Sequence, residues 1–141
     1  MIERSVRLRC PQQRAFELFT ERAGDWWPPG LRHTADGRSE IRMLPDGRFW
    51  ERAADGVEVE LGRVTDWQPP DRLGLDFYPG TDADHPTVVT VRFEADGDGT
   101  LVRVEHRPGP ASAALWNDRA PGYVNAWSLV LDALVAVPVY R

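Results

Sequence analysis

The sequence contains no lysine; all 17 basic residues are arginine. That absence excludes Schiff-base chemistry, a lysine general base and the phosphate-binding lysine of a P-loop. It also points to GC-rich coding. A single cysteine, Cys10, excludes a disulfide framework within the chain and fits a reducing compartment, so a cytoplasmic location is expected. Long apolar runs are missing too. The longest, near Leu129–Val139, is interrupted by Asp132 and Pro138 and is too short to span a bilayer. The opening MIERSVRLRC is charged and has no apolar h-region, which argues against a signal peptide. No block of like charge forms a tail, and a formal net charge of −5 disfavours nucleic acid or an anionic membrane as partner. The three histidines, His33, His85 and His106, are far apart, and no Cys/His/Asp spacing suggests a metal site. GxSxG, GxGxxG and Walker patterns are absent. No metal and no cofactor are expected.

What is present is a globular composition with a heavy aromatic load. Hydrophobic residues make up 42% and aromatics 10% of 141 residues, with six tryptophans. Trp brings large apolar area and one N–H that needs a partner, so the surplus suggests a pocket or interface as well as a core. The length suits one domain, 1–141, with no linker and no internal repeat.

The periodicities predict a strand over Ile2–Leu8, then a helix over Pro11–Thr20 with Ala15, Phe16, Leu18 and Phe19 as its apolar stripe. A second short helix or turn leads into Trp26-Trp27-Pro28-Pro29-Gly30, and 31–38 is a loop. Strands are expected at Glu40–Leu44 and Arg48–Arg52 around a Pro45-Asp46-Gly47 hairpin. Val57, Val59 and Leu61 alternate with Glu58 and Glu60, and the parity break at Gly62 suggests a β-bulge. Leu73, Leu75 and Phe77, then Val89, Val91 and Phe93, then Thr100, Val102, Val104 and His106 mark the inward faces of three further strands. Tyr123, Trp127, Val130, Leu131, Leu134 and Val137 predict a long helix from about Pro121 to Val137, stopped by Pro138. Hairpin-linked strands with segregated helices are an α+β pattern. The long helix is the natural cover for the apolar face of the sheet, and the gap between them is a natural ligand site.

These pieces, in this order, resemble the START-like (SRPBCC, helix-grip) superfamily, and within it the branch of the activator of the heat-shock-protein-ninety ATPase. The resemblance rests on Pro11 to Thr20, Trp26-Trp27-Pro28, Gly47-Arg48-Phe49-Trp50-Glu51, Gly62-Arg63-Val64, and Trp67 to Leu73. It continues through Val89 to Phe93, Gly99 to Arg107, and Trp127 with Leu131, covering about residues 5 to 135. It implies a helix-grip fold: a curved antiparallel sheet of about six to seven strands wrapped around a long C-terminal helix, with two short helices after the first strand. It also implies an internal cavity, in a superfamily that includes lipid carriers, polyketide cyclases, resistance proteins and co-chaperones.

The expected role is therefore binding of a small apolar or aromatic ligand, with no membrane or nucleic-acid partner, by a monomer or weak homodimer. On the coding bias alone, a secondary metabolite is a candidate ligand. Trp27, Phe49, Leu61, Phe77, Val91, Tyr123, Trp127 and Leu131 are the expected cavity wall. His106, by parity, points towards the helix, either as a ligand contact or acid/base, or as a structural histidine held in the sheet. Glu51 shares parity with Phe49; on a concave face it is a buried carboxylate with a raised pKa, and on a convex face it is solvated. Paired, His106 and Glu51 would supply acid/base chemistry for a cyclase or dehydratase of a polyketide-like substrate. Arg63 is a candidate for a ligand carboxylate, or a surface ion pair. Cys10 reads as a small buried residue rather than a nucleophile. A third reading is a co-chaperone-like interaction domain, which calls for a solid interior and a large exposed apolar patch.

Overall fold

A computed structural model describes residues 1–138; Val139, the end of the apolar stretch noted above, lies outside them. The element order is β1 (Ile2–Leu8), α1 (Gln12–Phe19), 3-10 turns at Ala23–Asp25 and Pro29–Leu31, then strands. These are β2 (Glu40–Met43), β3 (Arg48–Arg52), β4 (Glu58–Gln68), β5 (Arg72–Phe77), β6 (Thr87–Asp96) and β7 (Gly99–Pro108). A third 3-10 turn at Ala113–Leu115 leads into α2 (Trp116–Val135). The seven strands form one antiparallel sheet in the order β1-β7-β6-β5-β4-β3-β2. Every neighbour is a hairpin partner except β1, which closes on β7 while the helical connection carries the chain to the opposite edge. The architecture is α+β and helix-grip, as the resemblance implies.

Local chemistry explains most element ends. Pro11 caps α1 with φ −68°, the angle its ring imposes. Gly47 takes φ +103° in the β2–β3 hairpin, where the Asp46 side chain accepts the Arg48 amide at 2.9 Å. The pairing of β3 with β4 slips between Phe49 and Trp50, leaving Leu61 unmatched beside Gly62. That is the bulge foreshadowed by the parity break. A Cβ on Gly62 would sit 2.1 Å from the Asp76 carbonyl oxygen, so only glycine lets β4 and β5 approach there.

The last helix differs from expectation at its start. It begins at Trp116, and Pro121 lies inside it. Proline is favoured at the first helical position, which is why the sequence pattern placed the start there. In the structure the helix gives up one amide donor at Pro121 and is held by the buried stripe of Tyr123, Trp127, Val130, Leu131 and Leu134. Those side chains join Leu73, Leu75, Val89, Val91, Val102 and Val104 of the sheet in one core. Phe16 and Phe19 of α1 close the far end of that core against Phe93, with ring centroids at 5.1 and 5.9 Å.

Candidate functional site

α2 packs across the sheet, its backbone nearest to β1. Between sheet and helix lies a cavity of about 430 Å³, within the range of small-molecule sites. Phe49, Leu61 and Phe77 line it from β3, β4 and β5; Tyr123, Ala126, Trp127 and Val130 line it from α2. Trp27, Gly30, Leu31, Arg32 and His33 form its rim on one side, and Pro79 with Gly80 on another. The walls are mostly apolar, and Trp27, Phe49, Phe77, Tyr123 and Trp127 supply their rings. Phe77 stands at the centre, 6.2 Å from the Phe49 ring at 28° between planes and 5.8 Å from Trp127 at 31°.

Six of the expected wall residues, Trp27, Phe49, Leu61, Phe77, Tyr123 and Trp127, are brought together around this space. Val91 and Leu131 are not. Both are buried in the hydrophobic core, Val91 between its partners Leu73 and Val104. The expectation for them therefore needs correcting: they belong to the core and not to the cavity lining.

His106 and Glu51 also lie outside the lining, and each is fully buried. The Trp127 indole N–H donates to His106 Nδ1 at 2.9 Å. An indole nitrogen can only donate, so Nδ1 accepts and the ring proton is on Nε2. Nε2 donates to Thr87 Oγ1 at 2.7 Å, and that hydroxyl donates to the Phe77 carbonyl at 3.2 Å. One side chain thus ties α2 to β7, β6 and β5. Burial, with a smaller contribution from the N-terminal ammonium, lowers the His106 pKa to about 3. The ring is neutral and has both nitrogens engaged, and it packs edge-on against Phe77 and 4.2 Å from the Tyr123 ring.

Glu51 corrects a second expectation. It lies on the concave side with Phe49, but its pKa falls rather than rises. Burial alone pushes the carboxyl up; the His33 amide, the Thr34 amide and the Ser39 hydroxyl, at 2.8, 2.8 and 3.0 Å, outweigh it and hold the group ionised. Ser39 Oγ in turn accepts from Arg32 at 3.0 Å. The Arg32 guanidinium also donates to the carbonyls of Ser39, Gly24 and Trp27. Glu51 and Arg32 therefore fasten the rim loop onto β3. Trp50 points the other way and is buried beneath Arg48, whose guanidinium carbon is 4.0 Å from the ring centroid.

The proposed acid/base pair is not assembled. β3 and β7 are separated by three strands, about 19 Å along the sheet at ~4.8 Å per step. Arg63 is exposed and is not among the cavity's lining residues; it borders a separate small pocket with Arg48 and Trp50. Cys10 is buried and its thiol pKa raised by that burial, the opposite of an activated nucleophile. Among the described residues no group of three or more His, Cys, Asp or Glu is placed to hold a metal ion, and no helix is long and apolar enough to cross a membrane.

Several rim residues escaped the sequence reading. Arg32 and His33 sit in a segment read only as a polar loop, and Asp118, Arg119 and Gly122 precede or adjoin the expected helix start. Gly80, at φ +82°, brings its backbone against the Tyr123 ring, whose hydroxyl donates to the Pro79 carbonyl at 2.8 Å. The Pro79-Gly80 dipeptide was the available signal for that turn.

Among known structures, the chain is similar to the self-sacrificing resistance protein CalC from Micromonospora echinospora. The two share 27% identity and a TM-score of 0.73, covering 94% of this chain and 90% of that one. CalU16 from the same organism shares 17% identity at a TM-score of 0.58, covering 95% and 74%. Ms6760 from Mycobacterium smegmatis shares 16% at 0.60, covering 99% and 90%. The last two speak for the fold alone. No curated protein matches the sequence significantly. The sequence profile of the family described as Activator of Hsp90 ATPase homolog 1-like protein matches residues 9–137. That match takes in α1, all the paired strands except β1 and the helix they grip, so the chain belongs to this family.

Proposed function

We propose that this protein binds a small, largely apolar aromatic molecule between its sheet and α2, and holds it without chemical change. The observation that carries this reading is the aromatic cavity of about 430 Å³, open to the outside and walled by Phe49, Phe77, Tyr123 and Trp127. Apolar walls of this kind gain by removing ligand surface from water and by ring-to-ring contact. The likeness to a resistance protein accords with sequestration of a harmful secondary metabolite. A cavity argues for ligand binding over the solid interior that a pure interaction domain requires. The acid/base reading has no support in the placement of His106 and Glu51, each engaged in holding the fold.

The test uses the protein's own fluorophores. Trp27 and Trp127 border the cavity, so a bound aromatic guest changes tryptophan emission. The purified protein is titrated with a panel of aromatic and polyketide-like compounds, and each sample is analysed by mass spectrometry. Saturable quenching with the compound intact is expected. Conversion of the compound would replace binding by catalysis. A flat response across the panel, or quenching that survives filling the cavity by Ala126→Trp, would refute the site.

A further inference from the structure

We propose that the cavity selects aromatic guests carrying an anionic acceptor group, with an aryl carboxylate as the simplest case. The rings lie against Phe49, Phe77 and Trp127, and the carboxylate meets Arg119 at the rim. This rests on the binding reading above and adds the ligand's charge and orientation to it.

The argument is a census of the polar groups around the cavity. Two of the aromatic wall residues have no free polar handle: Tyr123 donates to the Pro79 carbonyl and Trp127 to His106. Arg32 is a cation of the rim, but its terminal nitrogens are directed to Ser39, Gly24 and Trp27. The His33 imidazole is 3.9 Å from the Glu51 carboxylate, so it already has an acid beside it. Arg119 differs. It lines the cavity from the first turns of α2, and among the described residues no carboxylate lies within ion-pair distance of it. It stands four residues before Tyr123, on the same face of α2.

Asp118 is the competing charge, since it also lines the cavity. It lies in the first turn of α2, where a carboxylate complements the positive end of the helix. That leaves Arg119 as the exposed rim cation with no carboxylate beside it among the described residues. A planar guanidinium with five donors fits a carboxylate in two parallel hydrogen bonds, a geometry an ammonium cannot copy. A second donor is available as well. Trp26 donates to the Leu18 carbonyl and Trp127 to His106, but among the described residues no protein acceptor takes the Trp27 indole N–H. The rim thus offers a guanidinium with no carboxylate in ion-pair distance among the described residues, while the interior is apolar. The guest that satisfies both is flat, apolar at one end and rich in acceptor oxygens at the other.

The experiment is calorimetric titration of the full chain at pH 7 with three probes of one shape: 2-naphthoate, 2-naphthamide and 2-naphthylmethylammonium. The acid is expected to bind roughly tenfold tighter than the amide, the value of one charge-assisted contact. Arg119→Gln should remove that preference, weakening the acid far more than the amide. Asp118→Asn should leave the preference in place or increase it. Equal binding of acid and amide, or an acid preference that survives Arg119→Gln, would overturn the inference while leaving the cavity reading intact. Tightest binding by the ammonium, lost in Asp118→Asn, would overturn it in favour of a cation. Failure of all three probes to bind would overturn the cavity reading and the inference together.

Discussion

His106 makes a quantitative prediction about acid stability. In the native state its ring is neutral down to about pH 3, because burial disfavours the cation and the N-terminal ammonium adds to this. In the unfolded chain an ordinary histidine takes up a proton below about 6.5. Unfolding therefore binds a proton between these values, and stability is complete above pH 6.5 and lost as pH falls towards 3. Between pH 7 and pH 5 this single group removes about 2 kcal/mol. The figure is insensitive to the native value, since any native pKa below about 4 leaves the folded ring unprotonated at pH 5. The assay is urea unfolding at pH 7 and pH 5, followed by tryptophan emission, on the parent and on His106→Asn. Asparagine can keep an acceptor for the Trp127 N–H while removing the titration. The variant should be less stable at pH 7 by about 1–3 kcal/mol, from the lost Thr87 contact and ring packing. Its loss between pH 7 and 5 should be smaller than the parent's by about 2 kcal/mol. Parallel losses in the two proteins would show that His106 is not buried neutral, and the reasoning would fail.

Glu51→Gln should destabilise the protein by about 2 kcal/mol, because the amides of His33 and Thr34 lose a charged acceptor. Those two amides should also lose hydrogen-exchange protection before β3 does, and uniform loss across the sheet would count against a role confined to the rim. Because the Glu51 pKa is depressed, its contribution is present above about pH 4.5 and disappears only as pH falls through the native value, below most of the His106 window. Gly80→Ala should cost at least ~1 kcal/mol, since φ is +82° and a Cβ would lie 2.6 Å from the Tyr123 hydroxyl oxygen. It should also weaken guest binding by displacing Tyr123; unchanged affinity in a folded variant would mean that Tyr123 does not shape the cavity.

The fold was legible because its signals are periodic. Alternation in β5 to β7 and the i, i+4, i+7 stripe of α2 are direct consequences of one buried face, and Gly62 announced a bulge by breaking parity. What was illegible depends on where loops come to rest. Nothing in 31–33 marks it as a cavity rim, because its position is set by Glu51, which accepts the His33 and Thr34 amides from another segment of the chain. The early start of α2 was hidden for a related reason. Pro121 is a strong local signal for a first turn, and tertiary packing overrode it. Arg119 went unnoticed with it, since a residue outside the expected helix had no face to belong to.

The two polar residues that parity singled out illustrate how burial decides between chemistry and architecture. A titratable side chain that serves as an acid or base must keep one polar atom free to meet substrate. His106 has neither nitrogen free, and both Glu51 oxygens accept from the protein. Each nevertheless acts on the cavity through a neighbour. His106 fixes the plane of Trp127, and Glu51 sets the height of the loop that carries Leu31 and His33. Phe49 and Phe77 have no polar atom to orient them, and Tyr123 and Trp127 are oriented by hydrogen bonds to the protein rather than to a guest. The groups free to recognise a guest are then left at the rim, where exposed positions such as Arg119 carry no periodic signature in the sequence.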